Sequence, residues 1–363
     1  MNAEIKKHIQ ASPSALQWEK IGLRPHHGID IPLFSLHSQK SSGIGEFFDL
    51  MPLIDWCSEI GFDTIQLLPL NDTGDVPSPY NALSSCALNP LYLSLEGLPF
   101  LDKPLKEKLK DFKKYNRTPR ILYEVIYKLK LHWLRHYYDT LGPKIMASDD
   151  YQIFLQEHSW VNTYALFRVL KNTLREHPSP STSLFEEYKE EVSFYSFLQY
   201  LCFQQMKDVK AFAASKNVFL LGDIPILISP ESVDVWEYPQ FFNLDLRAGA
   251  PPDTYNQEGQ DWGFPTYDWD NLQKDDYRWW RRRLNVASQF FDLYRIDHVV
   301  GFYRIWAIPP GKSAKEGEFV PGDQKVWISH GEQILKMMLH SSLMLPIAED
   351  LGTVPDEVRT SLF

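Results

Sequence analysis

Arg295 and Asp297 stand two residues apart in an apolar run, Phe291 to Val300, that reads as a buried strand. Residues two apart on a strand point to one face, so this spacing sets a guanidinium beside a carboxylate. A neighbouring cation favours the ionised form of an acid, and an ionised carboxylate suits a nucleophile. The plain alternative is a structural ion pair, because such pairs also perturb pKa. Glu349 closes another apolar run, Leu343 to Leu351, just before a helix start marked by Thr353, Pro355, Asp356 and Glu357. A carboxyl in a partly apolar site has a raised pKa and can act as a general acid. The alternative here is a capping or turn acid, a part that Asp350 fits better. Two carboxyls of opposed protonation are what glycosidic chemistry requires, about 5–5.5 Å apart in its retaining form. Adjacent strands of one barrel supply that distance.

Five apolar runs are legible as buried strands: Ile31–Leu36, Thr64–Leu70, Val218–Ile226, Phe291–Val300 and Leu343–Leu351. An amphipathic helix, Phe47–Ile60, precedes the second, and a helical stretch around Gln333–His340 precedes the last. Continuous apolar strands alternating with helices indicate a parallel sheet covered on both faces. Polar residues gather where four of the runs end, at Asn71 and Asp72, Asp223, Asp297 and His298, and Glu349 and Asp350. In (β/α) barrels that rim carries the chemistry. The expected fold is therefore α/β, of the (β/α)8 TIM-barrel type, with about five strands present and an α-helical insertion between strands two and three. The expected division is 1–99 for the first part of the barrel, 100–215 for the insertion, and 216–363 for strands three to five. Residues 241–270, rich in Gly, Pro, Asp and Trp, lack periodicity and read as a long ordered active-site loop.

Composition narrows the function classes. The net charge of −10 gives a diffuse acidic surface that disfavours nucleic acid. The basic run Arg281–Arg283 reads as one wet helix face. Three widely spaced cysteines, Cys57, Cys86 and Cys202, offer neither a disulfide framework nor a zinc pattern. The N-terminal MNAEIKKHIQ lacks the apolar stretch of a signal peptide, and no apolar run reaches the ~18 residues of a membrane span. The expectation is a reduced, cytoplasmic protein needing no metal or organic cofactor. Aromatic residues make up 14% of the chain, which suits a large core or a sugar-binding cleft.

At these residues the sequence resembles glycoside hydrolase family 77, the amylomaltases and plant disproportionating enzymes. The matching segments include Gly43-Ile44-Gly45 with Phe47, the run from Thr64 to Gly74, Ser78-Pro79-Tyr80, and Asn89-Pro90. They continue through Gly222-Asp223-Ile224-Pro225-Ile226, Asp234-Val235-Trp236, Gly249-Ala250-Pro251-Pro252-Asp253 and Gly259-Gln260-Asp261-Trp262-Gly263. Tyr294-Arg295-Ile296-Asp297-His298 and Ala348-Glu349-Asp350-Leu351-Gly352 complete the set. The resemblance implies Asp297 as nucleophile and Glu349 as acid/base. It implies Arg295 as the nucleophile's basic partner, Asp223 and His298 as contacts to sugar hydroxyls, and Tyr80 and Trp262 as aromatic contacts to glucose units. It implies for Asp253 a part in shaping the acceptor side. Its substrates are an α-1,4-glucan donor and a glucose or glucan acceptor.

The family pattern also holds a third carboxylate, in a His-Asp pair on the seventh strand, whereas this chain ends at Phe363. A truncated or split enzyme is therefore expected, and an inactive glucan-binding fragment is one alternative. An α-amylase-type hydrolase is a second. A metal-dependent barrel enzyme using Asp223, His298 and Glu349 as ligands is a third.

Overall fold

The structure, a computed structural model, describes residues 3–173, 178–351 and 354–362. Gly352, Thr353 and Phe363, named above, lie outside the described residues. The chain forms two compact units, one from Gly28–Val218 and one from Met1–His27 with Phe219–Phe363.

In the first unit, β1 (Gly28–Ile31) and β2 (Thr64–Leu67) pair in parallel, with Gly28 opposite Thr64 and Ile31 opposite Leu67. The helix Leu50–Ile60 joins them, burying Leu50, Ile54 and Cys57 on one face. β2 is shorter than its apolar run, and β1 lies ahead of the expected Ile31–Leu36, sharing only Ile31 with it; proline is the reason. Pro32 has no N–H to continue a ladder, so Leu33–Ser35 forms a 3-10 turn instead. Pro69 likewise follows the end of β2.

Residues 103–215 contribute helices, the longest being Tyr123–Met146, Trp160–Thr173 and Lys189–Ser215. They enclose two pairs of buried charges. Asp72 is fully buried, 3.1 Å from Arg168 and hydrogen-bonded by the Tyr164 hydroxyl at 2.6 Å. It also accepts from the Gly74 backbone. This corrects the reading of Asp72 as a rim group. Its lone pairs are used in pinning the loop after β2, on which Tyr80 lies. Lys130, 1% exposed, meets Glu46 at 2.6 Å and also donates to the Leu93 carbonyl. Burial pushes the Glu46 carboxyl up to about 7, against the pull of Lys130.

In the second unit, helices Ala3–Ala11 and Ala15–Ile21 precede seven strands. These are β3 (Phe219–Ile224), β4 (Phe242–Ala250), β5 (Gln260–Tyr267), β6 (Leu293–Ile296), β7 (Ile305–Ile308), β8 (Glu318–Val320) and β9 (Leu345–Ala348). β3, β6 and β9 lie side by side in parallel. Leu221, Leu293 and Leu345 occupy one row across them and pack with Ile21. β5, β4, β7 and β8 form a separate antiparallel sheet. Residues 241–270 are thus largely a long β-hairpin with an irregular tip, where an ordered loop without strand periodicity was expected. Register shifts at Arg247 break the two-residue alternation that would have revealed it. Gly249 adds a second irregularity, since a Cβ there would sit 2.0 Å from the Gln260 carbonyl oxygen.

The Lys130–Glu46 pair yields a stability prediction. Removing one partner from a buried ion pair costs about 3–5 kcal/mol, whereas removing both costs far less. Lys130→Met should lose stability of that order in urea unfolding, and Lys130→Met/Glu46→Leu should recover most of it. Equal loss in both variants would contradict this account.

Candidate active site

Parallel pairing sets the site. Asp223 on β3 lies opposite Arg295 on β6, and Arg295 lies opposite Ile347 on β9. Ile296 pairs with Ala348, and the Glu349 N–H continues that ladder to the Ile296 carbonyl at 3.1 Å. Carrying the register one residue further sets Asp297 against Glu349, on neighbouring chains about 4.8 Å apart. Both lie two residues beyond positions whose side chains share the Arg295 face. The three polar strand ends at Asp223, Asp297 and Glu349 therefore converge.

Arg295 is the hub. Its Nη1 donates to both Asp223 oxygens at 2.8 and 2.9 Å. Its Nη2 lies 2.8 Å from Asp297 Oδ1 and 2.6 Å from Glu349 Oε1. Two oxygens at 2.8 and 2.6 Å from one nitrogen are within about 5.4 Å of each other. That bound is compatible with the retaining separation and too short for the inverting one, about 6.5–9.5 Å. The Asp297 and Glu349 carboxyls thus stand side by side on one Arg295 nitrogen.

Three carboxylates face one guanidinium, so full ionisation would leave two uncompensated negative charges. Burial pushes Asp297 up to about 6; Arg295 opposes this, and Asp223 and Glu349 add to it. For Glu349 burial also raises the pKa, but the His298 N–H and Arg295 outweigh it and hold the carboxyl below its ordinary value. The sequence suggested the opposite split, with Arg295 keeping Asp297 ionised and Glu349 protonated. Here Asp297 is the acid pushed up and Glu349 the one held down, because Arg295 is shared among three acids and the backbone N–H serves Glu349. Burial opposes the charge on Arg295 itself, but Asp223, Asp297 and Glu349 outweigh burial and hold it firmly protonated.

His298 follows β6 with left-handed backbone, φ 50° and ψ 57°. Its N–H donates to Glu349 Oε2 at 2.8 Å. Burial lowers its ring pKa, with Glu349 opposing, which favours a neutral imidazole. Trp262 on β5 meets that ring edge-on, with centroids 5.0 Å apart. The structure thus brings together Asp223, Trp262, Arg295, Asp297, His298 and Glu349. Asp253 lies apart from them in its interactions: it is exposed at the hairpin tip, and its carboxylate accepts from the Tyr255 and Asn256 N–H groups. Tyr80, half-buried, belongs to the other compact unit. Sequence reasoning missed the His298 backbone as a partner of Glu349, since a left-handed histidine has no signature in composition or periodicity.

Among the described residues, no group of three or more His, Cys, Asp or Glu side chains could hold a metal ion, and no helix is long and apolar enough to cross a membrane.

Known proteins share this arrangement of the chain. The family model of 4-alpha-glucanotransferases, glycoside hydrolase family 77, matches residues 31–363. A 4-alpha-glucanotransferase of Chlamydia caviae is 46% identical over 98% of this chain and 69% of its own length. That of Chlamydia pneumoniae is 44% identical over 99% and 70%. The amylomaltase of Streptococcus agalactiae, solved in complex with acarbose, superposes with a TM-score of 0.80 at 24% identity, over 93% of this chain and 71% of that one. That likeness establishes the fold as the (β/α)8-barrel type, to which the described residues contribute five parallel strands, two in one unit and three in the other. By sequence, the chain belongs to the 4-alpha-glucanotransferase family, glycoside hydrolase family 77.

Proposed function

We propose that this protein transfers a segment of an α-1,4-glucan to the 4-hydroxyl of glucose or of another glucan, through a retaining double displacement. The observation that carries the mechanism is the register-matched pair Asp297 and Glu349 on one guanidinium, closer together than an inverting pair. Family membership supports the reaction class.

The proton shared by the pair defines the first step. Asp297 must be an anion to attack the anomeric carbon, and Glu349 must hold the proton to release the leaving 4-oxygen. Their common seat on Arg295 Nη2 keeps the two carboxyls close enough for the proton to pass from Asp297 to Glu349. Transfer along it leaves one anion and one acid. Attack by Asp297 forms a covalent glycosyl-enzyme as Glu349 protonates the departing sugar. Glu349, now a base, takes the proton of an acceptor 4-hydroxyl, whose oxygen displaces Asp297. Arg295 stays charged throughout and offsets the negative charge that moves between the two carboxyls. We assign Asp223 and His298 to contacts with sugar hydroxyls, and Trp262 and Tyr80, each separately, to aromatic contacts with glucose units. We assign the long hairpin, with Asp253 at its tip, to the acceptor side, where excluding water favours transfer over hydrolysis. The proposed setting is the cytoplasm, in starch or glycogen metabolism, where the buried thiols of Cys57, Cys86 and Cys202 stay reduced.

Three outcomes check this reading. Incubation with maltotriose should give glucose and a ladder of longer maltooligosaccharides; glucose and maltose alone would mean hydrolysis. Asp297→Asn should lower turnover by about a thousandfold or more while leaving the melting temperature within a few degrees, as expected when a nucleophile is lost. Near-normal activity would remove Asp297 from the mechanism. The third concerns pH. The active pair carries one proton, and the higher of its two titrations is that of Asp297, raised to about 6. That proton is lost as pH rises through this value, so kcat/KM should fall on an alkaline limb centred near pH 6. A flat profile from about pH 5 to 8 would contradict the shared proton.

A further inference from the structure

Gly301 lies buried in the 3-10 turn Val299–Phe302 that follows His298, and its N–H donates to the His298 carbonyl at 2.9 Å. Its φ is not in the left-handed region, so the backbone there accepts any side chain. The space does not. A Cβ on Gly301 would lie 2.9 Å from His298 Cδ2, 2.6 Å from Ile226 Cδ1 and 3.1 Å from Ile305 Cδ1. Trp262 meets the same imidazole edge-on. The ring is thus confined between Gly301 and Trp262, and its residue keeps a left-handed backbone that non-glycine residues rarely adopt.

We propose that Gly301 is a positioning residue for the catalytic pair: by carrying no side chain it lets the His298 ring settle, and this holds the left-handed turn that aims the His298 N–H at Glu349. The inference rests on the roles proposed above for Asp297 and Glu349. Its reasoning is geometric. The N–H and the ring belong to one residue, so pushing the ring tilts the turn that orients the N–H. A methyl on Gly301 presses the ring toward Trp262 or rotates the turn, and either lengthens the 2.8 Å bond to Glu349. That bond stabilises the carboxylate and not the acid. Its loss therefore moves the Glu349 titration upward. The charged and titratable groups facing Glu349 are Arg295 and Asp297 from β6 and the residue after it, the His298 ring, and Asp223 of β3 through Arg295. None of these is changed by Gly301→Ala.

The experiment is a carboxyl-carbon NMR titration of the full chain with ¹³C-labelled glutamate, with the Glu349 resonance assigned by Glu349→Gln. Gly301→Ala should raise the Glu349 titration midpoint, and Ile226→Val/Gly301→Ala should keep that rise, because the second change relieves only the contact with Ile226. A folded Gly301→Ala with an unchanged midpoint overturns the proposal. So does a rise that vanishes in the double variant, since that would assign the effect to packing against Ile226. If Gly301→Ala does not fold, His298→Val and His298→Gly replace it. Both lose the ring, but only the β-branched valine resists the left-handed turn. A higher midpoint in valine than in glycine supports the proposal, and equal midpoints overturn it. The readout needs no turnover. A failed maltotriose ladder would sink the transfer reading and leave this result standing.

Discussion

One guanidinium among three carboxylates is the interaction on which the site depends. Arg295 contacts Asp223, Asp297 and Glu349 at 2.6–2.9 Å, and each contact fixes an acid that would otherwise repel the other two. The ratio matters more than any single bond. One cation cannot neutralise three anions in a partly buried place, so Asp297 holds its proton to higher pH than a separate surface acid does, up to about 6. In the mechanism proposed above, that proton is the reagent the glycosidic bond needs. A second arginine here would ionise both members of the pair and deprive the leaving group of its acid.

The geometry has an equally simple source. Parallel strands in register place side chains of equivalent positions on adjacent strands about 4.8 Å apart. Asp297 and Glu349 each follow the last paired residue of β6 and β9, so their separation is a property of the sheet and not of loop conformation. The same row logic operates at the opposite end of these strands, where Leu221, Leu293 and Leu345 pack as one layer with Ile21. Core and candidate active site are two levels of one ladder. Shifting β9 by a single residue would turn Glu349 away from Arg295 and expose the leucine layer together.

This explains what the sequence made legible. Four of the five parallel strands fall inside apolar runs legible in the sequence, with Pro69 soon after β2; the first lies ahead of its run, sharing only Ile31 with it, because Pro32 ends β1 there. Arg295 with Asp297 was readable from a two-residue spacing, and Glu349 from its place at a run's end. The hairpin β4–β5 was not, because its register shifts and exposed faces erase the alternation that marks a strand. Asp72 was misread for a related reason. A carboxylate after a strand looks the same whether it faces a rim or an arginine distant in sequence, and Arg168 is 96 residues away from position 72. The protonation split was hidden too, since it turns on how many acids share Arg295 and on a backbone N–H with no residue type of its own.

The contrast between Asp72 and Glu349 shows what separates a structural acid from a chemical one in the same kind of position. Asp72 is fully buried, and its arginine, a tyrosine hydroxyl and a backbone N–H commit it to one fixed arrangement. Glu349 also meets an arginine and a backbone N–H, but it keeps an exposed fraction of 18% and a carboxyl neighbour in place of a hydroxyl donor. A hydroxyl next to a carboxylate can only stabilise its charge. A second carboxyl can also exchange a proton with it. The neighbour's identity, more than burial or the presence of a cation, makes one strand end a clamp and suits the other to the proton transfer proposed above.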